Sequence, residues 1–287
     1  MSVPPIGSGT ARDPAATLAP WRERWSLTPD GEAFATPSSI LQPVSSGGRP
    51  AFLKLATVDE EAAGARVLAW WAGRGAAAVY EADGDAVVME RATGHRSLEA
   101  LAASGPDGDD EATRILCRTG LALHRVDDAP RPDGIVDLHR WFRELFAHAR
   151  EHPGAHGGLF AAAASTAGDL LDHQEGDAVL HGDLHHGNVL DFGERGWRAI
   201  DPKHIHGDPA FDFANILCNP SASVALGPGR LERTAAVIAA ETGVDERRML
   251  RWVLAWCGLS AAWSERSGDD GATAVRVGMR ARALLGA

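Results

Sequence analysis

Residues 181–201 read HGDLHHGNVLDFGERGWRAID, and the fold is decided there. Asp183 sits between Gly182 and Gly187 in what reads as a loop following a short apolar run, residues 178–180. The runs 188–190 and 197–200 predict a hairpin that returns Asn188 and Asp201 to the same end of the structure. An asparagine and an aspartate converging in that way offer hard oxygen ligands, which suit a Mg²⁺ that keeps waters and phosphate oxygens. Asp183, next to that site without being a ligand, is placed to accept or orient the proton of an attacking hydroxyl.

Working outward, Lys54 lies in the strand-like run AFLKL, which follows SSILQPV across a Ser-Gly-Gly turn and predicts a second hairpin. Alternation puts Lys54 on the face of Phe52 and Ala56. A helix follows over residues 59–73, with Asp59 as its expected cap and an apolar stripe of Val67, Leu68 and Trp71. Glu60 and Glu61 fall in its first turn, where the helix dipole alone favours a carboxylate. A lysine on an early strand and a glutamate on the next helix complete the parts that a kinase-type phosphoryl transfer needs. The lysine neutralises phosphate charge and the glutamate holds the lysine.

Short strands dominate before residue 92: WSL at residues 25–27, then the runs above, then 77–82 and 86–89 around Asp83-Gly84. Helical patterns dominate after it, at 97–103, 110–126, 137–151, 159–173, 231–242, 245–265 and 270–285. The fold class is therefore α+β, with a small antiparallel-sheet lobe (residues 1–92, of which 1–13 form a loose tail) and a larger, mainly helical lobe (93–287).

Composition excludes some functions. The chain has 287 residues and a formal charge of −11, which argues against a nucleic-acid or anionic-membrane surface and suits a cationic partner. No apolar run approaches the roughly 20 residues of a membrane span. Cys117, Cys218 and Cys257 are odd in number and distant in sequence, each reading as a small buried residue in a reducing, cytoplasmic compartment.

The segments HGDLHHGN, AIDP and GDPAFDFAN resemble the catalytic core of antibiotic phosphotransferases with a protein-kinase-like fold. The finer resemblance is to the streptomycin 6-phosphotransferase and hydroxyurea phosphotransferase family. Its W-x-x-IDP, CLSAAW-type, AxxKL and xLxWxxGRGA segments are matched by residues 197–202, 257–263, 51–55 and 67–76. That resemblance implies ATP and Mg²⁺ as cofactors and a two-lobed kinase-like architecture with nucleotide bound in the cleft. It also implies phosphorylation of a small-molecule hydroxyl, on streptomycin or hydroxyurea, with loss of antibiotic activity. By the same resemblance Asp183 is the catalytic base, Asn188 and Asp201 the Mg²⁺ ligands, and Lys54 the contact to the α- and β-phosphates. Glu61 pairs with Lys54, with Glu60 as the fallback. Met89, Glu90 and Ala92 lie at the adenine hinge, and His181 and Asp212 support the loop.

The chain departs from protein kinases in lacking a GxGxxG, having Thr36-Pro37-Ser38-Ser39 instead, so Ser38 and Ser39 become the candidates for phosphate contact. Asp191-Phe192-Gly193 spells the kinase DFG but falls in the turn of the predicted hairpin and is read as coincidence. Two other readings use the same residues. His181, His185 and His186, with His204 and His206 nearby, can be drawn as a Zn²⁺ or Mn²⁺ hydrolase site. A kinase-like binding module without turnover is the second.

Overall fold

The computed structural model describes residues 13–128, 130–269 and 271–286. Residues 1–12 of the predicted tail and Asp270 lie outside them. Compactness divides the chain into one unit up to Ala62 together with Val79–Arg91, and another of Ala63–Ala78 together with Ala92–Ala287.

In the first unit Asp13, the last residue of the predicted tail, instead caps helix α1 (Pro14–Arg24), its side chain accepting from the Ala15 N–H. The predicted strand at residues 25–27 is absent. Trp25 is the C-cap of α1 and Ser26 turns into the left-handed region at φ 51°, so pairing starts only at β1 (Thr28–Pro29). Strands β2 (Phe34–Ala35), β3 (Ser39–Ser46) and β4 (Arg49–Ala56) follow, with β5 (Val79–Asp83) and β6 (Ala86–Glu90) completing a six-stranded sheet. Its order is β1-β3-β4-β6-β5 with β2 also on β3, and every pairing is antiparallel. The β3–β4 hairpin turns through Gly47 and Gly48 and sets Leu41 opposite Lys54. Leu18, Leu27, Val44, Ala51, Leu53 and Val88 form the core of this unit. Helix α2 (Asp59–Trp71) begins here and runs on into the second unit; Asp59 lies within its first turn rather than before it.

The second unit is helical. Helix α3 (Leu98–Ala103) has Ser97 as its N-cap, accepting from the Ala100 N–H. Helix α4 (Pro106–His124) starts ahead of the predicted residue 110, because Gly105-Pro106 is a stronger start signal than Asp110. After β7 (Val136–Asp137) the predicted helix at residues 137–151 is broken into α5 (Leu138–Trp141) and α6 (Arg143–Glu151). The break falls at Phe142, whose fully buried ring packs edge-on to Phe211 at 5.6 Å and tilted on Trp252 at 6.2 Å. Helices α7 (Leu159–Asp172), α8 (Ala222–Ala225), α9 (Arg230–Thr242), α10 (Glu246–Ser267) and α11 (Ala272–Leu285) complete it. Helix α10 is the centre of packing, touching α7, α9, α11 and the 3-10 run Pro209–Cys218.

Short strands thread this helical mass. Strand β8 (Ala178–Leu180) pairs antiparallel with β11 (Ile205–Gly207), and β9 (Val189–Asp191) pairs with β10 (Trp197–Ala199) in the expected hairpin. Cys218 and Cys257, distant in sequence, meet with their sulfurs 3.5 Å apart, and Cys218 is only half-buried. No described helix is long and apolar enough to cross a membrane.

Candidate active site

Strand register builds the site. Ile205 opposes Leu180 across β11 and β8, so the loop leaving β8 and the segment entering β11 emerge together. The Lys203 N–H donates to the His181 carbonyl at 2.7 Å, and the Ile200 N–H donates to the Asn188 carbonyl at 2.9 Å. Asn188 and Asp201 are thereby brought together by backbone hydrogen bonds. Asp201 itself sits at φ 53°, an uncommon conformation for a residue with a side chain. Helix α2 approaches the next residue closely: a Cβ at Gly64 would lie 2.2 Å from the Pro202 carbonyl oxygen.

Asp183 is held by amides. Asn215 Nδ2 donates to its Oδ1 at 2.7 Å, while Asn188 Nδ2 donates to its Oδ2 at 3.2 Å and to its backbone oxygen at 2.9 Å. Asn219 Nδ2 in turn donates to Asn215 Oδ1 at 2.8 Å, which fixes which way the Asn215 amide faces. The carboxylate is oriented by neutral donors yet remains 37% exposed, open to a proton from outside. With Nδ2 of Asn188 committed to Asp183, its Oδ1 is the atom turned elsewhere. Asn215 was not foreseen; it lies in the GDPAFDFAN segment, whose density of small polar residues in an apolar run was the available signal.

The loop is fastened from beneath by Asp212, 1% exposed. Its carboxylate accepts from the His181 N–H at 2.8 Å, the Gly182 N–H at 2.7 Å and His124 Nε2 at 2.7 Å. Burial by itself would raise the Asp212 pKa, but the bonds from His124 and Gly182 outweigh it and hold the group below its usual range. Gly182 stands at φ 77°, where its N–H can reach Asp212 and a side chain would strain the loop. His181 is fully buried, its Nε2 donating to the Ile200 carbonyl at 2.8 Å and its Nδ1 accepting from the Asp183 N–H at 3.2 Å. Burial pushes its pKa down, in keeping with a neutral ring that accepts at one nitrogen.

These contacts speak against the histidine hydrolase site. Both His181 nitrogens are engaged, and His186 is buried with neither ring nitrogen hydrogen-bonded among the described residues. His206 Nδ1 is paired with Asp177 at 2.7 Å. Burial first, then the nearby Arg230 charge, lowers the His186 pKa to about 3. The unfolded chain takes up that proton near pH 6.5, the native chain not until about pH 3, so this residue makes the native state lose stability as pH falls from 6.5. Replacing it should remove the penalty. His186→Leu is expected to gain about 2 kcal/mol relative to the parent at pH 5 compared with pH 8. Denaturant unfolding at both pH values checks this, and an equal difference at both would contradict it.

In the first unit Lys54, 8% exposed, pairs with Glu61 at Nζ–Oε2 2.7 Å. Glu61 rather than the fallback Glu60 makes this contact. Of the serine pair, Ser39 is 1% exposed with its hydroxyl 3.5 Å from Glu61 Oε2, and Ser38 is half-buried. Met89 and Glu90 close strand β6, with Met89 buried. Ala92 belongs to the second unit.

Asp191, read in the sequence as a chance DFG, has a structural role. Arg96 forks onto it with Nε–Oδ2 and Nη2–Oδ1 both at 2.8 Å, and the Gly94 N–H donates to its carbonyl at 2.9 Å. The fork holds its carboxyl well below the usual range. Among the acidic residues, Asp208 is buried and bound to Arg248 and to the Glu175 and Ala210 N–H groups, and Glu265 is bound to His148 and His156.

Comparison with known proteins agrees with this chemistry. The model of the aminoglycoside/hydroxyurea antibiotic resistance kinase family matches residues 24–268. A streptomycin 3''-kinase of Klebsiella pneumoniae is 48% identical over 84% of this chain and 90% of its own length. A streptomycin 6-kinase of Streptomyces griseus is 31% identical over 91% of this chain and 85% of its own. Among solved structures, a choline/ethanolamine kinase family protein from Mesorhizobium loti superposes with a TM-score of 0.63 over 93% of this chain and 94% of its own, at 16% identity. At that identity the likeness speaks for the fold alone, which is protein-kinase-like.

Proposed function

Because the chain belongs to the aminoglycoside/hydroxyurea antibiotic resistance kinase family, we propose that it transfers the γ-phosphoryl group of ATP to a hydroxyl of streptomycin and so inactivates the antibiotic. The observation that carries the chemistry is the Asp183 carboxylate, oriented by Asn215 at 2.7 Å and by Asn188 at 3.2 Å while remaining open on one side. A carboxylate so fixed accepts the proton of the acceptor hydroxyl as its oxygen bonds to phosphorus and the bond to the ADP leaving oxygen breaks.

The residues around it fit a Mg²⁺ site. Asn188 spends its amide nitrogen on Asp183, leaving a hard carbonyl oxygen, and Asp201 is drawn beside it by the Ile200–Asn188 backbone bond. Asn188 and Asp201 would hold the ion, whose contribution when bound is to neutralise charge on the phosphate oxygens. Lys54, held by Glu61, does the same for the phosphates it contacts. Lys54→Ala is expected to lower kcat/KM for ATP by roughly 10- to 100-fold, as loss of a charge-assisted contact does. Steady-state kinetics at varied ATP checks this, and an unchanged value would remove Lys54 from the nucleotide site.

The 3''-hydroxyl is the favoured acceptor, since the 3''-kinase relative is closer in sequence than the 6-kinase relative (48% against 31% identity). The acidic balance of −11 suits a cationic antibiotic. NMR of the purified product locates the phosphate. Phosphorylation at position 3'' is the expected result, position 6 would reassign the hydroxyl, and phosphorylation of hydroxyurea alone would overturn the acceptor.

A further inference from the structure

Helix α6 closes on His148-Ala149-Arg150-Glu151 followed by its C-cap His152, an HxxEH spacing. One ligand atom from each of His148, Glu151 and His152 lies within 4.8 Å of the others. The two imidazole rings are 4.5 Å apart between centroids. Arg266 Nη2 pairs with Glu151 at 4.0 Å, beyond hydrogen-bond reach.

A second carboxylate completes the arrangement. Glu265, on α10, accepts at Oε2 from His148 Nε2 at 2.8 Å and at Oε1 from His156 Nε2 at 2.6 Å. A carboxylate on the far nitrogen of an imidazole is how proteins orient metal-ligating histidines and raise their basicity. With Nε2 turned to Glu265, Nδ1 is the His148 nitrogen left for a cation. His156, which makes the second contact to Glu265, holds the left-handed conformation at φ 46°, uncommon for a residue with a side chain.

We propose that His148, Glu151 and His152 form a site for a borderline divalent metal of the Zn²⁺ type, with Glu265 as the outer carboxylate that orients His148. Two imidazole nitrogens and one carboxylate oxygen are a zinc-type donor set that leaves a fourth position for water. Mg²⁺, which takes oxygen ligands, is not suited to it. None of these residues belongs to the phosphoryl-transfer set, so the site is separate from the one holding Asn188 and Asp201. Binding there fastens the last turn of α6.

Calorimetric titration of the untagged, chelator-stripped full chain with ZnCl₂, in buffer containing excess Mg²⁺, tests this. The expected result is one Zn²⁺ per chain with micromolar or tighter Kd and a raised Tm. His152 is exposed, so His152→Ala should fold normally, as its circular dichroism would check, and should lose the binding. Glu265→Gln should weaken it by about 10- to 100-fold. Asp201→Ala should leave it unchanged. Failure of the parent chain to bind Zn²⁺, equal binding by His152→Ala, or loss in Asp201→Ala would each overturn the proposal. None of these readings depends on whether streptomycin is a substrate.

Discussion

Asp183→Ala is expected to lower kcat for phosphoryl transfer by roughly 10²- to 10⁴-fold, the range in which a positioned general base contributes. The affinity for ATP should be unaffected, because in the proposed reaction the carboxylate takes the acceptor proton and meets no nucleotide group. Its bonds to Asn215 and Asn188 hold it still without neutralising it. Truncation therefore removes the proton acceptor and leaves two amides facing a space that is already partly open to water, so little stability should be lost. Steady-state kinetics together with a direct nucleotide-binding titration separates the two effects. A parallel loss of ATP affinity would show that Asp183 serves the nucleotide site instead.

Asp212→Ala should damage the fold and the catalytic loop together. The buried carboxylate is the common acceptor for the His181 and Gly182 N–H groups and for His124 Nε2. Its removal leaves these donors unsatisfied away from solvent, at a cost of about 3 kcal/mol by the range for broken buried networks. For a chain of this size that corresponds to a Tm drop of roughly 6–12 °C. The loop would also lose what keeps Gly182 at φ 77°, so kcat should fall even at temperatures where the variant is folded. Thermal unfolding followed by circular dichroism, with activity measured well below the variant's Tm, checks both parts. A variant of unchanged Tm would remove Asp212 from the support of the loop.

Much of the site could be read in the chain because its chemistry is local. Asp183, Asn188 and Asp201 fall within one strand–loop–hairpin, and the pairing of β9 with β10 follows from short apolar runs around a turn. Lys54 and Glu61 were legible because a strand running into a helix fixes their separation, and the ion pair at 2.7 Å follows. What escaped depends on contacts far apart in sequence. Nothing near residue 183 announces that Asn215 will donate to it, or that His124 will share Asp212 with the loop. Asp191 was set aside as an accidental motif, yet it anchors the segment after Ala92 through Arg96. Local rules also failed where tertiary packing intervened: Phe142 breaks a helix that periodicity would continue, and Ser26 delays a strand that composition would begin. The carboxylate partner of the HxxEH run at the end of α6, Glu265, lies more than a hundred residues away in sequence and is brought there only by the fold.

Transfer of a radiolabelled γ-phosphoryl group from ATP to streptomycin, compared between the parent chain and Asp183→Ala in the presence of Mg²⁺, bears most directly on the central claim. Labelled antibiotic should accumulate with the parent chain and be nearly absent with the variant. Labelled antibiotic formed equally well by Asp183→Ala, or none formed by the parent chain, would contradict it.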